Sequence, residues 1–309
     1  RQGCYLTVKG VGFVDNKVEI IEVGPRDGFQ SVACAHIPLQ EKLELIGDLV
    51  SAGVRHMEFT SFVSPKAIPQ LADAGEITKA VLETYPDLDM FALVPNLRGA
   101  KNAYESGLQK VCYVVSLSAS HNQANINRTH EQSLASFREI KDTYPDMEII
   151  VDLATAFGCP FEGKYRNPYR VKEFLKDYVE AGMKTCCLCD TIGIADPAQV
   201  KGLIAVLQEA YPDLGLMVHF HDTRGSGLAN SLAAIEAGVV RLQSALGGLG
   251  GCPFAPGASG NLSTEDLVWV LEEMGYETGI CFHELLKTAK KQAGMIQGNY
   301  SGHQIHIRD

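Results

Sequence analysis

Short β-rich runs recur along this chain at nearly even spacing, and that rhythm limits its fold more than any single motif. VEIIEV occupies 18–23, VRHMEF 54–59, DMFALV 89–94 and VCYVVSL 111–117. MEIIVDL follows at 147–153, KTCCLC at 184–189, LMVHFH at 216–221 and VVRLQSAL at 239–246. Between them lie segments of helical periodicity. LQEKLELIGDLVSAG at 39–53 puts Leu43, Ile46, Leu49 and Val50 on one stripe and ends on Gly53, a helix stop signal. EQSLASFREIKDTYP, NPYRVKEFLKDYVEAG, DPAQVKGLIAVLQEAYP and SGLANSLAAIEAG read alike. STEDLVWVLEEMG at 263–275 opens on a Ser-x-x-Asp resembling a capping box. Apolar strands alternating with helices predict parallel pairing under a helical cover. Eight such units in about 260 residues predict an α/β fold, a (β/α)8 TIM barrel. A doubly wound open sheet is the alternative.

No linker or low-complexity segment interrupts the chain. All 309 residues therefore read as a single domain, with the barrel core over about 18–275 and a short C-terminal helical extension over about 276–309. Hydrophobic residues at 46% and charged residues at 21% suit a globular protein. A net charge of −10 argues against a nucleic-acid partner. No apolar run approaches the roughly 20 residues that span a bilayer. The opening RQGCYLTVKG lacks the apolar core of a signal peptide. The expected location is the cytoplasm, without a membrane. Nine cysteines include no paired C-x-x-C units, which argues against a structural zinc site and for reduced, mostly buried thiols.

Barrel enzymes place their chemistry at the C-terminal ends of the strands. There this sequence carries its reactive side chains: Arg26, Asp27 and Gln30 after strand 1, Glu58 closing strand 2, and Asp190 closing strand 6. HFHDTRG at 219–225 closes strand 7 with two histidines two residues apart. Residues i and i+2 of a strand share a face, so His219 and His221 project side by side. A lone H-x-H is as readily a pair of core histidines as a pair of ligands, and Arg26–Asp27 or Glu58 alone would read as ordinary ion pairs. Their convergence on one rim favours a site. After strand 8, GGLGGCPFAPGASGN at 247–261 holds Cys252 and Asn261. Asp27, His219, His221 and Asn261 offer a mixed oxygen and nitrogen donor set that suits Mg²⁺ or Mn²⁺, with Zn²⁺ and Fe²⁺ possible.

VEIIEVGPRDGFQ, EFTSFVSPKAIPQLAD, VPNLRGA, GCPFEGK, CDTIGIADP, HFHDTRGSGLANSLAA and GGLGGCPFAPGASGNLSTEDLV resemble hydroxymethylglutaryl-CoA lyase over about residues 18–275. The glycine-rich cysteine loop is the most specific element. The resemblance implies a divalent-metal-dependent lyase that cleaves a 3-hydroxy-acyl-CoA, hydroxymethylglutaryl-CoA, to acetyl-CoA and acetoacetate. It implies Asp27, His219, His221 and Asn261 as metal ligands. Arg26, Glu58, Asp190, His219 and Cys252 become the expected catalytic residues, and Gln30, Arg26, Thr191 and Arg224 the expected substrate contacts. A homodimer is implied as well.

This chain also departs from that pattern. Ser31, Val32 and Ala33 follow Gln30 where an Asn-Glu-Lys-like segment is usual, and Asp152 stands where a tyrosine is expected. Cys187 and Cys189 replace two small residues beside Asp190, and Arg224 brings a charge that suits a carboxylate. The last residues, MIQGNYSGHQIHIRD, lack the basic stretch associated with CoA contacts. A related citramalyl-CoA lyase, a Claisen-type synthase acting on a 2-oxo acid, and a non-catalytic barrel scaffold are the competing readings.

Overall fold

The computed structural model describes residues 16–33, 36–251 and 260–307. Eight parallel strands close into a barrel: β1 (Glu19–Glu22), β2 (His56–Ser61), β3 (Asp89–Val94), β4 (Lys110–Ser116), β5 (Glu148–Ala154), β6 (Thr185–Asp190), β7 (Gly215–Phe220) and β8 (Arg241–Ser244). Each neighbours the next, and β1 pairs with β8 through Glu19↔Arg241 to Glu22↔Ser244. The closed barrel thus excludes the open-sheet alternative. Helices α1 (Leu39–Ser51), α2 (Ala74–Thr84), α3 (Leu97–Glu105), α4 (Ala119–Ile126) and α5 (His130–Thr143) cover the first half. Helices α6 (Tyr169–Glu180), α7 (Pro197–Ala210), α8 (Gly227–Glu236) and α9 (Thr264–Glu273) cover the second, and α10 (Phe282–Met295) forms the helical extension. Among the described residues no helix is long and apolar enough to cross a membrane.

Strand alternation builds two cores. On β5, Ile149, Val151 and Leu153 pack outward with helix residues such as Phe137, Leu175 and Leu203. Ile150 points the other way, into a barrel interior shared with Ile21, Phe91, Cys112, Cys187 and Met217. Strands such as β3, β4 and β5 are therefore largely apolar on both faces, which explains their continuous hydrophobic runs. Gly53 ends the α1 segment at φ 108°, in the left-handed region. Ser263 caps α9 by accepting Asp266 N–H, but Asp266 turns its carboxylate to His303 and Gln304 instead of completing a capping box. One further expectation shifts. β2 runs to Ser61, so Glu58 lies mid-strand beside a register irregularity rather than at its end. Cys281 is exposed, whereas the other described cysteines are buried; all are free.

Glu22 locks the barrel seam. It is fully buried; Oε1 accepts Gly24 N–H at 2.7 Å and Leu246 N–H at 2.8 Å, and Oε2 accepts the Thr264 hydroxyl at 2.7 Å. These bonds join the end of β1 to the exit of β8 and the start of α9. Burial raises its pKa from 4.5 to about 7, although those three donors favour the charged form. Glu22→Ala strands the three donors and is expected to cost about 3 kcal/mol in chemical denaturation. A carboxyl whose folded pKa is raised stabilises the fold below the unfolded value, and that contribution disappears as pH rises through the folded value. Wild-type stability should therefore lose a component between pH 4.5 and about 7 that Glu22→Gln lacks. Identical pH profiles would refute this.

Candidate active site

The site grows out of the tight turn after β1. Residues Gly24–Gly28 form a π-helical turn with Pro25 at its start, where a missing N–H costs nothing. A Cβ on Gly24 would lie 2.6 Å from Glu22 Oε1 and 3.2 Å from Leu246 N, so no side chain fits. The turn presents Arg26 and Asp27 together. Arg26 is 7% exposed, and its guanidinium donates to Asp27 Oδ1 at 2.7 Å and to Glu58 Oε2 at 2.6 Å. Its Nε is buried without a partner. Gln30 Nε2 also donates to Asp27 Oδ1, at 2.5 Å, and Asn261 Nδ2 to Asp27 Oδ2, at 2.8 Å.

The opposite wall supplies the imidazoles. His219 faces inward from β7 beside Gln243 of β8, whose Oε1 lies 3.1 Å from His219 Nδ1. An amide oxygen only accepts, so Nδ1 carries the proton and Nε2 keeps its lone pair. His221 follows one residue past β7 and bridges to Asn261, which brings the fourth residue to the pair. The approach of the 250–251 and 260–261 segments there is close: a Cβ on Gly250 would sit 2.8 Å from Asn261 Nδ2. Asp27, His219 and His221 each offer a donor atom within 4.8 Å of the others.

The electrostatics leave these donors in the state a cation needs. Burial would raise the Asp27 pKa, but Arg26, both histidines and Asn261 overcome it and hold it near 2. Burial lowers His221 to about 4, helped by neighbouring His219, which is itself lowered. An ionised carboxylate thus faces two neutral imidazoles at neutral pH. His221 Nδ1 and Asn261 Oδ1 are buried without partners. Unpaired buried acceptors are costly, and a divalent ion would satisfy them, so the residues present fit a metal of the Mg²⁺ or Mn²⁺ class.

Behind Arg26 the barrel wall is acidic. Glu58 is fully buried with Oε1 unpartnered, and burial pushes its pKa up. Asp152 on β5 accepts the Cys112 thiol at 2.8 Å through Oδ2 and keeps Oδ1 unpartnered. Sequence reasoning marked Asp152 only as a departure and did not place Cys112 at the site. Period-two alternation on β4 and β5 was the signal that points both inward.

The remaining expected residues form a second network on the same rim. Both Asp190 oxygens accept loop amides, from Ile194 at 2.9 Å and Ala195 at 3.0 Å. Thr191 Oγ1 accepts Thr155 N–H at 2.8 Å; Thr155 itself holds a left-handed φ of 59° at the end of β5. Arg224 donates to the carbonyls of Ile192 and Gly193 at 2.7 and 3.0 Å. Asp190, Thr191 and Arg224 therefore organise the loop after β6, and no hydrogen bond among the described residues joins them to Asp27. Cys252 lies outside the described residues.

Residues 17–291 match the HMGL-like family. The chain is 40% identical over 278 residues to hydroxymethylglutaryl-CoA lyase YngG of Bacillus subtilis, covering 89% of this chain and 91% of that protein. It is 38% identical over 284 residues to the human mitochondrial hydroxymethylglutaryl-CoA lyase, covering 91% and 86%. Among solved structures, an HMG-CoA lyase from Acinetobacter baumannii in complex with coenzyme A and 3-methylmalate superposes with a TM-score of 0.88 at 39% identity, covering 97% of this chain and 99% of that one. A family match that spans the whole barrel, with Asp27, His219, His221 and Asn261 clustered on its rim, leaves one conclusion: the chain belongs to the HMGL-like family.

Proposed function

We propose that this chain is a divalent-metal-dependent carbon–carbon lyase that cleaves hydroxymethylglutaryl-CoA to acetyl-CoA and acetoacetate. The observation that carries the reading is the convergence of Asp27, His219, His221 and Asn261 beside the buried guanidinium of Arg26. Relatives named for that activity, at 38–40% identity, support it.

Breaking the bond between C2 and C3 requires loss of the C3 hydroxyl proton, collapse of that oxygen to a ketone, and departure of the thioester fragment as an enolate. A divalent ion held by Asp27, His219, His221 and Asn261 supplies Lewis acidity that makes the hydroxyl easier to deprotonate. Glu58, with an unpaired oxygen and a raised proton affinity, accepts the hydroxyl proton in this reading. His219, whose Nδ1 pairs with Gln243, keeps Nε2 for the ion and so helps to position it. Arg26, pinned between two carboxylates, is a fixed cation for the enolate oxygen, and its unpaired Nε–H is a ready donor. Cys252 is assigned protonation of the enolate carbon.

Gln30 contributes by holding Asp27, and Asp190 by holding the loop that carries Thr191. Arg224, exposed on the rim, is the proposed contact for an acidic group of the acyl-CoA. A citramalyl-CoA lyase is the second reading, because buried Asp152 and Cys189 change the wall near Arg26 while the metal donors are kept. Comparing kcat/KM for the two thioesters with Mg²⁺ decides between them. Hydroxymethylglutaryl-CoA should be the better substrate, and a preference for citramalyl-CoA would reassign the chain.

A further inference from the structure

The barrel wall next to the Asp27 cluster carries sulfur. Alternation on β6 puts Cys187 and Cys189 on the inward face, with their Sγ atoms 3.9 Å apart. Asp152, the register partner of Cys187, joins them from β5. One donor atom from each of the three lies within 4.8 Å of the others. Asp152 is 4% exposed and keeps Oδ1 without a partner, while the Cys112 thiol holds Oδ2. Thiols serving only as small apolar filler do not account for an unpaired carboxylate oxygen buried among them, which costs free energy unless something satisfies it.

The sulfur geometry suggests what does. Two thiolates bound at about 2.3 Å to a tetrahedral zinc ion stand about 3.8 Å apart. The observed separation of 3.9 Å needs no movement of the strand. The lack of C-x-x-C units does not bear on this, because on a strand it is C-x-C that aims both sulfurs one way. We propose that Cys187, Cys189 and Asp152 form a second cation site, bearing thiolates and selective for Zn²⁺ or an ion of similar softness. The Asp27 site offers oxygen and nitrogen donors and accepts hard ions; a two-sulfur, one-oxygen set does not hold Mg²⁺. Binding one ion releases the two thiol protons to solvent and transfers no electrons. Asp152 and Cys189, at 4% and 8% exposure, open the approach, while Cys187 is sealed.

Reduced, metal-stripped protein is saturated with Mg²⁺ and titrated with Co²⁺, a spectroscopic stand-in for Zn²⁺. Near-ultraviolet thiolate-to-cobalt charge-transfer absorption should saturate at one ion per chain, with two protons released. The absorption should vanish in the Cys187→Ser/Cys189→Ser variant, whose Mn²⁺ binding at the Asp27 site stays normal. It should persist in Cys252→Ser and in His221→Ala, which separates this site from the metal centre of the proposed function. No sulfur absorption in the wild-type chain overturns the proposal whatever the variants do. So does absorption that survives the double substitution or disappears in Cys252→Ser.

Discussion

Arg26→Lys should lower kcat by about a hundredfold or more, as loss of a preorganised donor to an oxyanion does. The guanidinium reaches Asp27 at 2.7 Å and Glu58 at 2.6 Å from two separate nitrogens, a fork that a single ammonium cannot reproduce. Lysine also leaves one of the two carboxylates, part-buried Asp27 or buried Glu58, without its partner. Glu58 is the more exposed to that loss, because burial already pushes its proton affinity up and Arg26 is the charge that opposes it. The variant should therefore fail in the chemical step and shift its pH profile upward, since Glu58 would then need a higher pH to ionise. KM should change less than kcat. Steady-state kinetics across pH separates these outcomes, and a variant impaired in KM alone would make Arg26 a binding residue.

His221→Ala should abolish most metal affinity and turnover while leaving the fold in place. Ligand loss is the reason for the first effect: substitutions of groups that merely orient a metal ligand already cost about 10- to 100-fold, and His221 would itself be a ligand. The second effect follows from its surroundings. His221 Nδ1 has no hydrogen-bond partner, and burial beside His219 holds the ring neutral, so removing it breaks no bond that supports the barrel. Mn²⁺ binding followed by electron paramagnetic resonance, together with thermal unfolding, tests both at once. Normal Mn²⁺ affinity would remove His221 from the ligand set.

The barrel is legible in the sequence because most strands are apolar runs and each helix is apolar on one stripe, so that the two periods alternate visibly. The His219/His221 pair is legible for the same reason, through strand alternation. Asn261 is legible as an oxygen donor in the loop after strand 8, but its neighbour is not. Its place depends on a one-residue bridge to His221, and no local pattern announces such a bridge. Glu58 reads from sequence as a strand end, yet β2 continues three residues further, because buried Thr60 and Ser61 carry the pairing onward. Asp190 looks from sequence like Glu58, a carboxylate at a strand terminus, but its role depends on the loop amides that fold back to meet it. The inward aim of Asp152 and Cys112 is implicit in β4 and β5, although an acid and a thiol within apolar runs read first as exceptions to a core.

The central claim is that this chain cleaves a carbon–carbon bond through the centre built by Asp27, His219, His221 and Asn261. Product analysis by mass spectrometry tests it most directly, on protein stripped of metal by chelation and on the same protein reloaded with Mg²⁺. With hydroxymethylglutaryl-CoA, the reloaded protein should yield acetyl-CoA and acetoacetate in equal amounts, and the stripped protein neither. Equal cleavage by both preparations, or intact thioester after reloading, would contradict the account.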